Sequence, residues 1–578
     1  MITVNTLPTT KWRVTENNIL ISDQLMRELG INPIISRLLT SRDISSTDDA
    51  KRYLMPSLKD IHNPFLMKDM QAGVYRLIKA IYNGEKIVIY GDYDADGITS
   101  VVVILKFLRD ICPDVSYYIP DRIDEGYGLH CGAIDKFKAD GVKLIVTVDC
   151  GISDREQIDY AKSLSIDVII LDHHEVPPIL PDAVAVINPH RDDCMFPFKH
   201  LAAVGIAFNF LISLRGSLRK DGFWSGRKYP NLKEYLDLVA LGTIGDISPL
   251  TQDNRIFVRT GLELITNGHR PGIIALKEIS GIENQIIDTT KASFGLLPRI
   301  NAAGRIASPK EAVNLLLTDD IKEARVIARR LDEYNKKRQI MEKSILREIV
   351  GEIEKTDSYD NKKAFVFASE NWHPGIIGIV ASRLVEQYCR PAILISIREG
   401  IGKGSGRSIG NFNIYQYLKK CEALLISYGG HRYAAGISIK EGDIKEFIKQ
   451  LDAAMSERTD ISDFVSQTII DVQCNLNDID DELLSQIGML APFGTENPEP
   501  IMCVRNVCVT SPVIVGKNHL RIRVSGDGVS CNSIWFSKGQ FIHSLPVTSL
   551  DIAFTPQISH WNGTSDIQLK MRDMAIPS

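Results

Sequence analysis

Short, uninterrupted apolar runs recur between residues 86 and 175, each followed by an amphipathic stretch. Lys86–Tyr90, Val115–Ile119, Leu144–Val148 and Asp167–Leu171 read as strands, while Ser100–Asp110 and Arg155–Ser165 carry apolar residues at helical spacing. Strands without polar alternation, separated by helices, predict a parallel sheet covered on both faces. Residues 202–265 read as mainly helical. Ile321–Val350 is charged, helical in period and free of Gly and Pro, which predicts a long helix bridging two domains. Strand patterns return at Ala364–Ala368 and Ala392–Ile395, so residues 364–440 predict a second α/β unit. Polar residues around 455–464 suggest a linker. From Val465 onward, β-rich runs such as Leu520–Val524, Ser533–Phe536 and Ile567–Met571 predict a small barrel or sandwich. The expected order is a helical and extended region at 1–70, a parallel-sheet domain at 71–318, a connecting helix at 319–360, a second α/β domain at 361–458 and a β-barrel at 465–578.

A chain of 578 residues exceeds a single core and fits several domains. Its apolar fraction of 44% and charged fraction of 24% are those of a globular protein. No apolar run is long enough for a membrane span, and no basic segment followed by an apolar run marks a secretory leader. The ten cysteines are scattered without a CxxC pair, which predicts reduced thiols and a cytoplasmic setting. A net charge of −5 does not advertise a nucleic-acid binder, but leaves room for a local basic groove.

The chemistry gathers where strands end. Asp92, Asp94 and Asp96 follow the first strand, one residue apart, and stop at Gly97. Carboxylates that close together repel unless a cation neutralises them. The third strand runs into Asp149, and the fourth into Asp172-His173-His174. In a parallel sheet these ends share one edge, where open α/β folds bind ligands. Asp246 closes the helical run Leu236–Ile244 and is a further candidate. An oxygen-rich set with an imidazole or two suits Mg²⁺ or Mn²⁺ better than Zn²⁺, and the imidazole tilts it toward Mn²⁺. A calcium loop starting at Asp92 would need Glu where Val103 stands, and a helix rather than a strand before it. Asp149 read alone is a helix cap, Asp172 a turn former or an orienter of imidazole, and His174 a ligand, a group that supports a ligand, or a substrate-facing group.

A second set of candidates carries positive charge. Gly404-Ser405-Gly-Arg407-Ser408 reads as a flexible turn, either a phosphate cradle or an ordinary turn with a solvated Arg. His431, after Gly429-Gly430, either holds a phosphate or caps a buried turn. Arg305 follows Gly304 after a Pro298 turn and either binds phosphate or forms a salt bridge. On the bridging helix, Arg325, Arg329, Arg330, Lys336, Lys337 and Arg338 interleave with Glu323, Asp332 and Glu333, either lining a strand's route or forming a solvated face. Lys517, His519, Arg521 and Arg523, with Trp535 and Phe536 nearby, either grip unpaired bases or border a core.

Taken together, Asp172-His173-His174, the Asp92/Asp94/Asp96 strand end and Asp149 resemble the DHH phosphoesterase superfamily, and within it the single-strand-specific 5′→3′ DNA exonucleases. Gly245-Asp-Ile-Ser-Pro-Leu250, Arg299-Ile-Asn-Ala-Ala-Gly-Arg305, Trp372-His-Pro-Gly375 and its continuation to Arg383, Gly404–Ser408, Gly429–Gly436 and Pro492–Pro498 are similar to further motifs of that group. The resemblance spans about residues 50–578. It implies an α/β DHH domain, a long helix, a DHHA1-type second domain and an OB-like barrel that binds nucleic acid. It implies two divalent ions, Mn²⁺ or Mg²⁺, held by Asp92, Asp94, Asp96, Asp149, His173 and Asp246, with Asp149, His173 and His174 catalytic. Phosphate and DNA contacts carry over to Arg122, Arg305, Ser405, Arg407 and His431, with Arg122 on the terminal 5′ phosphate. The implied activity is exonucleolytic release of 5′-mononucleotides from single-stranded DNA in repair and recombination, with a single-strand-binding protein and a helicase as partners and no membrane. Ile247-Ser248 replaces a commoner apolar pair and is expected not to touch the chemistry. Two alternatives differ in kind: a phosphodiesterase of short oligonucleotides or cyclic dinucleotides, or a pyrophosphatase, and a scaffold with a dead metal site. The β-rich residues 465–578 argue for a long polymer, and the complete ligand set argues against a dead site.

Overall fold

The computed structural model describes residues 11–122, 125–355, 362–410, 412–456, 467–545, 549–561 and 564–577. The chain forms two compact units, Ile61–Phe464 and a second that joins the residues up to Asp60 with those from Val465 onward.

The larger unit opens on the expected parallel sheet. Its strands are Ile87–Gly91 (β1), Val115–Tyr118 (β2), Leu144–Val148 (β3), Asp167–Leu171 (β4) and Ala185–Ile187 (β5), in the order β2-β1-β3-β4-β5. Every pairing is parallel, and β1 and β3 are buried at every position. That burial explains their lack of polar alternation. Ala95–Arg109 (α1) follows β1 and packs on Ala203–Lys220 (α2) and Leu236–Gly245 (α3). The register aligns Gly91 with Val148 and Val148 with Leu171. Asp92, Asp149 and Asp172 therefore leave three neighbouring strands at one level.

Leu297–Ile306 (α4) leads to the bridging helix Ile321–Lys355 (α5). Pro298 occupies the first turn of α4 and Arg305 its last. The expected turn before Arg305 is thus a helix, which Pro298 enters directly after the π-helical turn Ala292–Leu296. Ile345 and Ile349 of α5 enter the core of the second α/β domain, beside Phe365, Ile376 and Leu394. On α5 the cations are largely consumed: Arg325 pairs with Glu278, Arg330 with Glu311, Lys336 with Asp332 and Arg338 with Glu342.

The second domain is a mixed sheet of Phe365–Ser369 (β6), Ala392–Arg398 (β7), Ile401–Arg407 (β8), Leu425–Gly430 (β9) and Ala434–Lys440 (β10), ordered β9-β10-β8-β7-β6, with Pro374–Tyr388 (α6) after β6. Only β6 and β7 run parallel. Residues 404–407, expected as a flexible turn, form the central strand β8. Gly402, Gly404 and Gly406 alternate onto one face. A Cβ there would come within 2.6 Å of Ile395, 2.5 Å of Ile437 and 2.7 Å of Ile414 respectively. Bulky neighbours fill the space that side chains of β8 would need. Lys403, Ser405 and Arg407 occupy the opposite face. The linker expected at 455–464 lies mostly outside the described residues; helix Ile444–Ser456 runs up to it.

In the other unit, Met502–Val515, His519–Gly526, Val529–Trp535, Thr564–Ala575 and Leu550–Trp561 close into a five-stranded barrel. Leu25, Ile35, Leu38, Leu39 and Leu54 share one core with barrel residues such as Leu520, Ile522 and Phe554. Lys11–Val14 pairs in parallel with Gln467–Ile470. The buried Asn497 side chain donates to the Leu490 and Pro492 carbonyls and accepts from Arg42 and Tyr53. Trp535 is 3% exposed and belongs to the core, while Arg521 and Arg523 alternate outward with the buried Leu520, Ile522 and Val524. No helix among the described residues is long and apolar enough to cross a membrane.

Candidate metal centre and phosphate-facing wall

The carboxylates converge as the strand register requires. Asp94 caps α1, accepting the Asp96 and Gly97 amides at 2.9 and 3.1 Å. Gly97 is needed for this fold-back, because a Cβ there would stand 2.5 Å from the Asp92 carbonyl oxygen. Asp96 is buried with both oxygens on the start of α2, accepting from the Ala203 amide at 2.7 Å and the Val204 amide at 2.9 Å. The positive end of that helix favours the anion. Asp92 is buried too, and its Oδ1 has no hydrogen-bond partner. Asp149 follows β3 with φ of +61°, a costly conformation for a residue with a side chain. Its amide donates to Leu171 O at 3.0 Å, and its carbonyl accepts from Tyr127 Oη at 3.1 Å.

His173 lies at the centre. Its Nε2 is 3.2 Å from Asp149 Oδ1 and 4.0 Å from Asp96 Oδ2, and its Nδ1 is 3.8 Å from Asp246 Oδ2. Three groups of side chains are close enough to share an ion: Asp149 with His173 and His174, Asp96 with His173 and Asp246, and Asp92 with Asp94 and Asp149. All six candidate ligands therefore meet in one place. Asp172 does not join them. It is fully buried, and its oxygens are taken by the Ile152, His173 and His174 amides and by His174 Nδ1 at 2.7 Å.

The electrostatics call for positive charge. Burial, then repulsion from neighbouring carboxylates, pushes Asp92, Asp96 and Asp149 well above the usual carboxylate range. Burial also raises Asp246 and lowers His173, keeping that imidazole neutral as a ligand must be. His174 goes the other way. Burial opposes its charge, but the hydrogen bond to Asp172 prevails and lifts it to about 9. Complete burial likewise opposes ionisation of Asp172, and the His174 bond brings it down to about 2.

The candidate cations stand nearby. Arg122 lies over the Tyr93 ring, 4.8 Å from its centroid. Arg305 donates to Gly375 O at 3.0 Å, and Arg407 to Ser405 Oγ at 3.0 Å and Gly406 O at 2.8 Å. Burial, then the guanidiniums of Arg122, Arg338 and Arg407, depresses Arg305 to about 9 despite the pull of Asp94. Burial and Arg122 lower Arg407. Such a crowd of cations asks for an anion. The start of α6 joins them: a Cβ on Gly378 would stand 2.9 Å from Ser405 Oγ and 3.1 Å from Arg407 Nη2. His431 is half-exposed in the β9–β10 hairpin, not buried in a turn, and its Nδ1 sits 2.9 Å from Glu175.

Two residues escaped sequence reasoning. Tyr127 holds the Asp149 carbonyl and sits 3.2 Å from His174 Nδ1; its position between Gly126 and Gly128 was the only signal. Ser248 donates to Asp246 Oδ2 at 2.5 Å, contrary to the expectation that the Ile247-Ser248 pair stays clear of the chemistry. The hydroxyl beside a carboxylate two residues away was the available clue.

The chain matches the model of the DHH family N-terminal domain over residues 86–243, the DHHA1 domain over 361–457 and the RecJ OB domain over 470–573. It is 35% identical to the single-stranded-DNA-specific exonuclease RecJ of Salmonella typhimurium over 94% of this chain and 96% of that one. The chain belongs to the RecJ family. The Bacillus subtilis RecJ is 37% identical over 96% of this chain and 69% of its own length. Among solved structures, Thermus thermophilus RecJ in complex with Mn²⁺ superposes with a TM-score of 0.84 at 28% identity, covering 98% of this chain and 80% of that one. A second RecJ structure, bound to manganese, gives a TM-score of 0.58 at 33% identity over 68% of this chain and 96% of that one.

Proposed function

We propose that this RecJ-family chain is a metal-dependent exonuclease that hydrolyses single-stranded DNA from its 5′ end and releases 5′-mononucleotides in repair and recombination. One observation carries the reading: a buried carboxylate–imidazole cluster with an orphaned Asp92 oxygen near guanidiniums that lack carboxylate partners among the described residues. The donor set fits two divalent ions, Mn²⁺ or Mg²⁺, held by Asp92, Asp94, Asp96, Asp149, His173 and Asp246. Bound there, the ions supply Lewis-acid polarisation of the phosphodiester and acidify water.

The side chains do the rest. Asp149, directly after the central strand, would help hold the ions through its carboxylate. His173 offers a neutral nitrogen. His174, charged and engaged through Nδ1, turns its remaining N–H to the scissile phosphate. Arg305, Ser405 and Arg407, together with the first amides of α6, bind phosphate oxygens; Arg122 takes the terminal 5′ phosphate, and His431 closes the hairpin side. The barrel supports a long polymer rather than a dinucleotide as substrate. A cytoplasmic setting, with a single-strand-binding protein and a helicase as partners, completes the reading; it is supported by ten cysteines that form no disulfide.

Asp149→Ala is the direct test. The variant is expected to release no nucleotides from a 5′-phosphorylated single strand while melting cooperatively and binding the strand in a gel-shift assay. Near-normal nucleotide release would refute the assignment.

A further inference from the structure

Ser248 lies two residues after Asp246, and the structure gives it a task. The side chain is buried, and its hydroxyl donates to Asp246 Oδ2 at 2.5 Å. The backbone between the two is strained. Ile247 has φ of +62°, a left-handed conformation that a β-branched residue rarely adopts. Its side chain is 72% exposed, so no packing offsets that cost. The turn is held by the Ile247 amide on Ile244 O, by the Ser248 amide on Thr243 O, and by the hydroxyl on Asp246. Only the last of these restrains rotation of the Asp246 carboxylate. It also occupies an Oδ2 lone pair, so Asp246 presents the remaining lone pairs in a fixed orientation.

We propose that Ser248 is a positioning residue that sets the metal preference of the centre, holding Asp246 rigid enough for Mg²⁺. This rests on the metal-centre reading above and goes beyond it by naming what decides between the ions. Mg²⁺ demands near-ideal octahedral geometry and tolerates little ligand wander. Mn²⁺ gains more from the His173 nitrogen and depends less on Asp246 alone. A partner that orients a ligand is ordinarily worth a tenfold or larger change in metal affinity.

The test is calorimetric titration of the full chain with Mg²⁺ and, separately, with Mn²⁺. Ser248→Val, which removes the hydroxyl, is expected to raise the Mg²⁺ Kd about tenfold or more and the Mn²⁺ Kd less than about threefold. Ser248→Thr, which keeps the hydroxyl, is expected to stay within about twofold of wild type for both ions. Thermal melts in EDTA establish that each variant folds, and Ser248→Ala replaces Val if the larger side chain lowers the melt. A wild-type chain that binds neither ion would sink the metal-centre reading itself. If wild type binds both ions and the hydroxyl-free variant matches it, loses both equally, or is mimicked by Thr, the Ser248 inference alone is wrong.

Discussion

Replacing Asp172 with Asn would remove a charge from the most completely buried carboxylate of the site without changing its shape. Asp172 titrates at about 2 against an ordinary 3.8, and His174 at about 9 against 6.5. The imidazole moves further because Asp246 and Asp92 also attract it. Its side chain is 37% exposed, so water screens part of that gain. The carboxylate is fully buried, and its smaller displacement is the better measure of the pair, on the order of 2–3 kcal/mol. The Asn amide adds a second cost. Asp172 Oδ2 accepts the Ile152 amide at 3.0 Å; an NH₂ there would face an N–H and leave it unsatisfied, costing about 1–3 kcal/mol. The first cost depends on pH and the second does not. The stabilisation from His174, whose folded value is raised, is complete below about 6.5 and lost as pH rises through about 9. That from Asp172, whose folded value is depressed, is present above about 3.8 and lost as pH falls through about 2. The stability gap between wild type and Asp172→Asn should therefore be about 3–6 kcal/mol between pH 4 and 6.5 and shrink to about 1–3 kcal/mol by pH 10. Urea unfolding of both metal-free proteins across this range measures it. A gap that stays flat from pH 5 to 10 would refute the charge pairing of Asp172 with His174.

Gly404→Ala places a Cβ 2.5 Å from Ile437 Cγ1 and 3.2 Å from Ile395 Cγ1; the expected loss is about 1–3 kcal/mol, read as a lower urea midpoint at unchanged slope. Adding Mn²⁺ to the EDTA-treated chain should raise its melting temperature, by the equivalent of about 2.7 kcal/mol at a hundred times the Kd. That gain should shrink as the pH falls through the raised range of Asp92, Asp96 and Asp149, where protons compete for the same oxygens. An Mn²⁺ effect that grows on acidification would contradict the raised carboxylates.

The parallel sheet was legible because β1, β3 and β4 are buried on both faces, and such strands cannot hide their composition. The site was legible for the same reason: charge placed directly after a buried apolar strand has to serve something at the sheet's edge. The sheet of the second domain was harder. The glycines of β8 mimic a turn, since the reason for them lies in Ile395, Ile414 and Ile437, which only the folded domain brings against them. Trp535 and Phe536 look equivalent in the chain, yet the strand ends at Trp535, which enters the core, and the turn that follows leaves Phe536 44% exposed. Tyr127 and Ser248 act through hydrogen bonds to groups whose positions only the folded chain defines.

The shared core of Leu25, Leu38 and Leu54 with the barrel has a consequence for synthesis. These residues leave the ribosome early, but the strands that cover them follow only after the whole Ile61–Phe464 unit. At synthesis rates of about 5–20 residues per second, roughly 400 intervening residues leave that apolar face uncovered for about 20–80 s. The early segment therefore waits through the folding of the entire larger unit. Any protein made without its barrel would carry not only a missing domain but a permanently exposed patch at its other end, open to chaperones, proteases and other unfinished chains.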